Sequence, residues 1–485
     1  MKLSDMLKDI DVIETTADLN MELHGIAYDS RSAKEGDMFV AVTGFETDGH
    51  KYIPAAVKNG ASVVMCQNIP ETDVPYVRIS DTRLGLAIAA RNFFRDPAGE
   101  MKMIGITGTN GKTTSTTLLK HVLEETIGAK VGLIGTNVNM IGDVAIETSR
   151  TTPESYELQK LLREMADAGC THVIMEVSSH SLVLDRVSGI KFAVGAFTNL
   201  TQDHLDFHKT MENYAEAKSL LWKQSAVAVI NADDEWADFM ISRAQCPVYT
   251  FSTLKNDADL TAKDIRFGAS GVKFCAVDKE GIERIQLGIP GRFSVYNALT
   301  VIACAHELGI PVSQCAAALA TAAGVKGRVE VVPTDGDYTI VIDYAHTPDA
   351  LENVIRSMKE VTKGRVVVLF GCGGDRDHGK RPIMGAIAAK YADFVIITSD
   401  NPRTEKPEDI VSQIVEGIKG TRTPHKVIVD RPEAIKFAID NHLPGDVIIL
   451  AGKGHETYQE INHVKHHMDE REIVADILSK RNKAE

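Results

Sequence analysis

The sequence predicts an α/β protein of three consecutive domains, with a P-loop-type parallel sheet in the central one. Three observations carry this reading. The chain has 485 residues, more than one hydrophobic core supports, which sets an expectation of about three domains. Continuous apolar runs of strand length alternate with helical stretches, the pattern of parallel sheets covered on both faces. One such run ends in a glycine-rich turn followed by Lys112, Thr113 and a helix, the order of a phosphate-binding loop.

Taken in order, the first segment (1–98) holds short strand-like runs, MFVAV at 38–42, SVVMC at 62–66 and YVRIS at 76–80. A helical stretch, LGLAIAARNFF, follows and ends at Asp96-Pro97, because the residue before proline is disfavoured in a helix. This is a small mixed α/β unit. The second segment (99–328) offers MIGIT at 103–107, then KVGLIG, THVIMEV, FAVGAFTNL and AVAVIN as buried strands. Residues 246–290 are richer in β and turn signals and suggest an antiparallel addition. Small-residue-rich helices are expected around 295–308 and 312–323, with a hinge at Gly324–Gly327. The third segment (329–485) repeats the open α/β pattern with TIVIDY, RVVVLFG, FVIITSD, KVIVD and VIILAG. Architecture of this kind names no reaction by itself.

Composition narrows the function class. A net charge of −14 argues against a nucleic-acid partner, since phosphate neutralisation needs a basic surface. The seven cysteines lack any C-x-x-C pair, as expected of reduced thiols rather than a disulfide framework or zinc site. No signal peptide and no membrane span are expected, so a cytoplasmic location is.

The loop IGITGTNGKTTSTT (104–117) is the first candidate site. Small residues let backbone N–H groups approach phosphate oxygens, the helix N-terminus favours negative charge, and the Thr113 hydroxyl suits Mg²⁺. Its spacing is not that of Walker A, because Ile106 stands where that pattern has glycine. Gly108 instead gives a shorter G-x-x-G-K-T loop. Two further strand ends carry polar clusters: Glu176, Ser178, Ser179 and His180, and then Asp203, His204, Asp206 and His208. Ligand sites of open parallel sheets lie beyond the carboxyl ends of the strands, so these acids and histidines are candidate Mg²⁺ ligands. Lys218 falls on a helix expected at 211–222, where spacing alone reads it as an ordinary exposed lysine.

Ten runs, in this order, resemble the motifs of the Mur ligase family: GTNGKTT, MEVSSH, TNLTQDHLDFH, YAEAKSLL, YNAL, GRVE, DYAHTPDAL, GGDRD, DNPR and AGKGHE. The resemblance covers essentially the whole chain and is closest to the family's UDP-N-acetylmuramoyl-tripeptide synthetases. It implies a central ATPase domain and a Rossmann-like C-terminal domain. It also implies that Gly108, Thr109, Asn110, Gly111, Lys112, Thr113 and Thr114 bind ATP, with Asn297, Arg328 and Asp343 facing the nucleotide across the hinge. Lys112, Glu176, His204 and Lys218 would be catalytic. Thr113, Glu176 and His204 would hold Mg²⁺, and Lys218 would carry a CO₂-derived carbamate, an N6-carboxylysine. Ser30 in YDSR, Thr151 and Thr152 in SRTTPE, Ser178 and Arg186 match UDP-sugar-binding positions. Some relatives have glutamine two residues before this arginine; here it is Leu184, and no contact is assigned to it. Arg376, Asp400, Asn401, Pro402, Arg403, Gly452 and Glu456 match the pocket for the incoming amino acid.

The activity implied by the resemblance is ATP-dependent addition of meso-diaminopimelate to UDP-N-acetylmuramoyl-L-alanyl-D-glutamate through an acyl phosphate, in peptidoglycan precursor synthesis. A monomer is expected. The alternatives are the same ligase using L-lysine, a folylpolyglutamate synthetase-like ligase, and a nucleotide-binding scaffold without catalysis. The guanidinium of Arg403 favours diaminopimelate, because only that substrate carries a distal carboxylate for a two-bond fork.

Overall fold

Parallel strands buried on both faces organise the protein. The computed structural model describes residues 1–44, 47–148, 150–268, 271–334 and 336–481. The chain divides into two compact units, Met1–Thr250 with Ala303–Ile310, and Phe251–Ile302 with Pro311–Glu485.

In the first unit, an N-terminal sheet contains β1 (Val12–Thr15), β2 (Gly25–Ala27), β3 (Asp37–Val40), β4 (Val63–Cys66) and β5 (Tyr76–Ile79), ordered β1-β5-β4-β3-β2. β2 to β5 are parallel and β1 is antiparallel to β5. The helix Thr82–Phe93 covers it. Asp81 starts that helix by accepting from the Arg83 and Leu84 amides, so the expected helix begins two residues earlier than its apolar run suggests. β1 and β2 escape the sequence reading because they are short and largely lack an apolar run.

The central strands of this unit are β6 (Lys102–Thr107), β7 (Val131–Ile134), β8 (Asn139–Ile141), β9 (Val144–Ile146), β10 (His172–Glu176), β11 (Phe192–Phe197) and β12 (Ala228–Asn231). They run in the order β12-β11-β6-β10-β7-β8-β9. The first five in that order are mutually parallel, as the continuous apolar runs require. The β7-β8-β9 edge is an antiparallel meander. β6 lies between β10 and β11, so the carboxyl ends of these three strands meet at one edge. Met103, Met175, Phe192, Leu162 and Trp222 fill the core beneath.

After β13 (Val248–Ser252), the second unit opens with the antiparallel strands β14 (Leu260–Gly268), β15 (Gly271–Val277) and β16 (Ile282–Leu287), the β addition anticipated at 246–290. Helices at Arg292–Glu307 and Val312–Thr321 fall where small apolar residues place them. The C-terminal sheet comprises β17 (Glu330–Val332), β18 (Thr339–Asp343), β19 (Val366–Phe370), β20 (Phe394–Ile397), β21 (His425–Val427) and β22 (Val447–Ala451), ordered β17-β18-β22-β19-β20-β21. All pairs but β17-β18 are parallel. A two-stranded hairpin, β23 (Tyr458–Ile461) and β24 (Val464–His467), completes the unit. Its turn residues Asn462 and His463 have φ of 49° and 64°. Positive φ at both turn positions is the geometry that lets a two-residue loop follow strand twist.

Candidate functional site

The phosphate loop leaves β6 and is braced from the end of β11. The Thr109 amide donates to Asn199 O at 2.9 Å, and the Asn110 amide to Asn199 Oδ1 at 2.8 Å. Thr198 Oγ1 donates to Asn110 O at 2.7 Å. A Cβ at Gly108 would collide with that same Thr198 hydroxyl, and Gly108 and Gly111 adopt φ of 147° and 85°. Both glycines are therefore dictated by backbone shape and space. Gly111 caps the helix Lys112–Ile127, where Thr113 and Thr114 are buried in the first turn.

Two lysine nitrogens converge on one carbonyl oxygen of this loop. Lys112 Nζ donates to Gly108 O and Thr109 O, each at 2.9 Å. Lys218 Nζ donates to the same Gly108 O at 2.9 Å. The exposed-lysine reading of Lys218 fails, because its side chain is 1% exposed. The Tyr214 ring lies 4.5 Å from its nitrogen. Burial, with the charge of Lys112 adding, pushes the Lys218 ammonium well below the lysine range, while Asp203 opposes. The helix carrying it, Met211–Ser219, gives way at Leu220 to a 3₁₀ turn, short of the anticipated Trp222.

Glu176 closes β10 and is 1% exposed. Its two carboxylate oxygens each accept a bond of 2.9 Å from Thr136, one from the amide and one from the hydroxyl. The Thr136 hydroxyl lies 3.0 Å from that of Thr151. Thr152 donates to Glu176 O at 2.8 Å, and the Ser178 amide donates to Thr152 Oγ1 at 3.2 Å. Arg186 reaches Thr152 O at 3.4 Å and pairs with Glu154 at 2.7 Å. The structure thus brings Thr151, Thr152, Ser178 and Arg186 to Glu176. A cavity of about 450 Å³ opens nearby, lined in part by Tyr28, Arg150, Glu154 and Glu157. Ser30 follows β2, with its carbonyl accepting from Asn59 Nδ2 at 2.8 Å. Ser149 of the SRTTPE run lies outside the described residues.

His204 follows β11 in the left-handed region, at φ 52°. Asp203 accepts from its amide at 2.8 Å and lies 3.4 Å from its Nε2. Burial holds the imidazole below the usual histidine range against the pull of Asp203, and Lys112 and Lys218 add to the fall. The neutral ring is the form that ligates metals.

In the second unit, Asn297 is buried on its helix. Asp343 ends β18 and accepts from the Val329 and Ala345 amides at 2.8 Å each, while the Arg328 guanidinium lies 4.9 Å from the Tyr344 ring. The loops GGDRD and DNPR are laced together. The Gly374 amide donates to Asn401 O at 2.9 Å, and Arg403 Nη1 donates to Gly374 O at 2.7 Å. Gly374 packs so tightly on Pro402 O that any Cβ would clash. Gly373 separates Arg403 from Arg376, which is exposed. Gly452, at φ 110°, abuts Asp400. Asp400 is buried; burial raises its pKa, but Lys453 and Arg431 outweigh that and hold it below the usual range. Glu456 Oε2 accepts from Asn401 Nδ2 at 2.9 Å and from Lys453 Nζ at 2.6 Å.

Several contributors were not singled out from sequence. Asn199 and Lys453 sit within motif runs and Thr136 directly after the strand run KVGLIG, but nothing in their spacing marks them. Arg381 is fully buried and forms a two-bond pair with Glu405, each bond 2.8 Å. Glu405 also accepts from the Asp375 amide at 2.5 Å, fastening the GGDRD loop.

A parallel sheet presenting a glycine-rich loop, a buried acid and a buried lysine at the carboxyl ends of its strands defines an α/β protein built to handle phosphate groups. Three family models match: "Mur ligase family, catalytic domain" over residues 22–101, "Mur ligase middle domain" over 106–305, and "Mur ligase, glutamate ligase domain" over 327–454. A UDP-N-acetylmuramoyl-L-alanyl-D-glutamate--2,6-diaminopimelate ligase of Caldanaerobacter subterraneus subsp. tengcongensis is 50% identical, with 100% of each chain covered. One of that name, numbered 1, from Clostridium acetobutylicum is 47% identical, with 99% of each covered. A solved structure of a ligase of that name superposes with a TM-score of 0.75 at 34% identity, covering 99% of each chain. The chain belongs to the Mur ligase family.

The Arg381–Glu405 pair sets a stability test. Removing the acid leaves a buried guanidinium short of its counter-charge, so Glu405→Ala is expected to cost about 3 kcal/mol in urea unfolding near neutral pH. Hydrogen bonding to Arg381 first, with the Asp375 amide, holds the Glu405 carboxyl down at about 2 against an ordinary 4.5. A depressed acid stabilises above its unfolded value and loses that contribution as pH falls through its folded value. The gap between wild type and Glu405→Ala should therefore narrow from pH 4.5 towards 2.

Proposed function

We propose that this chain is an ATP-dependent amide-bond ligase that adds meso-diaminopimelate to UDP-N-acetylmuramoyl-L-alanyl-D-glutamate in peptidoglycan precursor synthesis. The observation that carries the reading is 50% identity along the whole chain to a relative of that name. We read the chain as three domains, 1–98 for the UDP-sugar, 99–328 for ATP and 329–485 for the amino acid. Among the described residues no helix is long and apolar enough to cross a membrane.

The donor set suits Mg²⁺. Glu176 is a buried carboxylate held by Thr136, Thr113 adds a hydroxyl, and His204 adds a neutral imidazole. When bound, Mg²⁺ supplies neutralisation of phosphate charge. Lys218 completes the set as a carbamate. Its depressed ammonium favours the neutral amine, whose lone pair forms an N–C bond to CO₂ with loss of one proton. The product is an anion beside Lys112, and its remaining N–H can still donate to Gly108 O.

The protein's own groups account for the remaining steps. Lys112 and the loop amides hold the ATP phosphates, with Asn297, Arg328 and Asp343 contributing to the nucleotide. Thr151, Thr152, Ser178, Arg186 and Ser30 hold the UDP-sugar dipeptide. The D-glutamyl carboxylate attacks the γ-phosphorus and ADP leaves, giving an acyl phosphate. The amine of the amino acid then attacks the acyl carbon and expels phosphate. Lys112 and the loop amides stabilise the charge that develops during transfer. Arg376, Asn401, Arg403, Gly452 and Glu456, with the Asp400-Pro402 turn, position that amino acid. Arg403 is matched to a distal carboxylate, which L-lysine lacks.

The test is an amino-acid screen with the UDP-muramoyl dipeptide, ATP and Mg²⁺, read by product mass and phosphate release. Release should require both co-substrates, and meso-diaminopimelate should be preferred over L-lysine by on the order of 10⁴-fold. Comparable use of lysine contradicts the specificity, and amino-acid-independent release contradicts the ligase. Lys218→Ala should retain its fold and lose on the order of 10²-fold or more in kcat, with partial rescue by short carboxylic acids. A fully active Lys218→Ala protein would rule out the carbamate role.

A further inference from the structure

We propose that Glu460, on β23, is a positioning residue that presents Arg403 to the distal carboxylate of the incoming amino acid. The proposal rests on the amino-acid pocket read above and adds to it a hairpin that no motif covers.

The hairpin clamps the DNPR turn along its length. Gln459 Nε2 donates to Asp400 O at 2.7 Å, and the Glu460 amide donates to Asn401 Oδ1 at 2.9 Å. The Arg403 amide donates to Glu460 O at 3.0 Å, and the Asn462 amide to Arg403 O at 2.8 Å. Arg403 has φ of 51°, a conformation a side-chain-bearing residue adopts only when its surroundings enforce it. The two backbone bonds from the hairpin bracket this residue. Tyr458 of the same strand places its ring 5.2 Å from Lys453 Nζ, the nitrogen that ties Asn401 Oδ1 to Glu456.

The side chains decide what Glu460 does. Arg403 Nε donates to Glu460 Oε2 at 3.1 Å, and the two side chains are only 19% and 22% exposed. An acid on an anion-binding arginine neutralises charge that the site needs. The donor count resolves this. A guanidinium has five N–H groups. Among the described residues, Glu460 takes the one on Nε and Gly374 O takes one on Nη1. One N–H of Nη1 and both of Nη2 remain, enough for a two-bond fork to a ligand carboxylate. Glu460 therefore fixes the guanidinium by its side edge and leaves the end edge to the substrate. It does not have to be displaced on binding.

The test compares wild type, Glu460→Gln, Glu460→Asp, Arg403→Ala and the double variant Glu460→Gln/Arg403→Ala by steady-state kinetics. Glu460→Gln should raise KM for meso-diaminopimelate about tenfold, the weight of one charged hydrogen bond. KM for ATP and for the UDP-muramoyl dipeptide should stay within about twofold, because those sites use other residues. Glu460→Asp, which keeps the charge but withdraws it by one methylene, should fall between. It serves alone should Glu460→Gln fold poorly. The double variant should be no worse than Arg403→Ala. A Glu460→Gln protein with an unchanged diaminopimelate KM, while Arg403→Ala raises it, overturns the positioning role and leaves the pocket intact. Additive losses in the double variant overturn it too, because Glu460 then acts independently of Arg403. An unchanged KM in Arg403→Ala removes the pocket reading, and this proposal with it.

Discussion

Burying a lysine nitrogen is expensive, and this protein buries that of Lys218 beneath its phosphate loop. Lys218 and Lys112 share the carbonyl of Gly108, and much of the first unit follows from that arrangement. The loop must offer its carbonyl downward, which Gly108 permits and Thr198 and Asn199 hold. Tyr214 must pack against the lysine and also reach the loop, where its hydroxyl lies 3.3 Å from Thr109 Oγ1. Burial and the charge of Lys112 favour an uncharged Lys218 nitrogen, while the loop carbonyl, the Tyr214 ring and Asp203 favour the charged form. An anion formed there would be attracted by the neighbouring charge of Lys112.

Each unit solves a similar problem in its own way. In the second, full burial of Arg431 is answered by Glu470 at 2.8 Å and by the carbonyls of Ser399 and Ala451 at the ends of β20 and β22. That clamp fixes the carboxyl edge from which the DNPR and AGKGHE turns depart. Arg381 and Glu405 do the same for the GGDRD loop. Charge buried in pairs confers little net stability but a great deal of geometry, and here it is spent on loops that carry ligand-binding candidates.

What the sequence disclosed follows from the same physics. The parallel sheets were legible because strands such as VIMEV and VIILA are apolar on both faces, and the phosphate loop because glycine, lysine and threonine stand between a strand and a helix. Lys218 was not legible. Its helix, MENYAEAKS, has no strong apolar face, and burial of a lysine is set by tertiary contacts that spacing does not encode. The hairpin at 458–467 was missed because YQEI and VKHH are short and mostly polar, and Asn-His is a weaker turn signal than Asn-Gly. Nothing in the sequence around Arg381 and Arg431 marks their burial; only the folded chain shows them enclosed. Of the residues matched by resemblance, Thr151, Thr152, Ser178 and Arg186 gather at Glu176, and Asn401, Arg403 and Glu456 at the DNPR turn.

The proposed role of Lys218 is to carry an anion, a carbamate, on its nitrogen. The most direct measurement is ¹³C NMR of the purified protein equilibrated with ¹³C-bicarbonate. A protein-bound carbamate resonance is expected in the wild type and not in Lys218→Ala. Identical spectra for the two proteins at saturating bicarbonate would contradict that role.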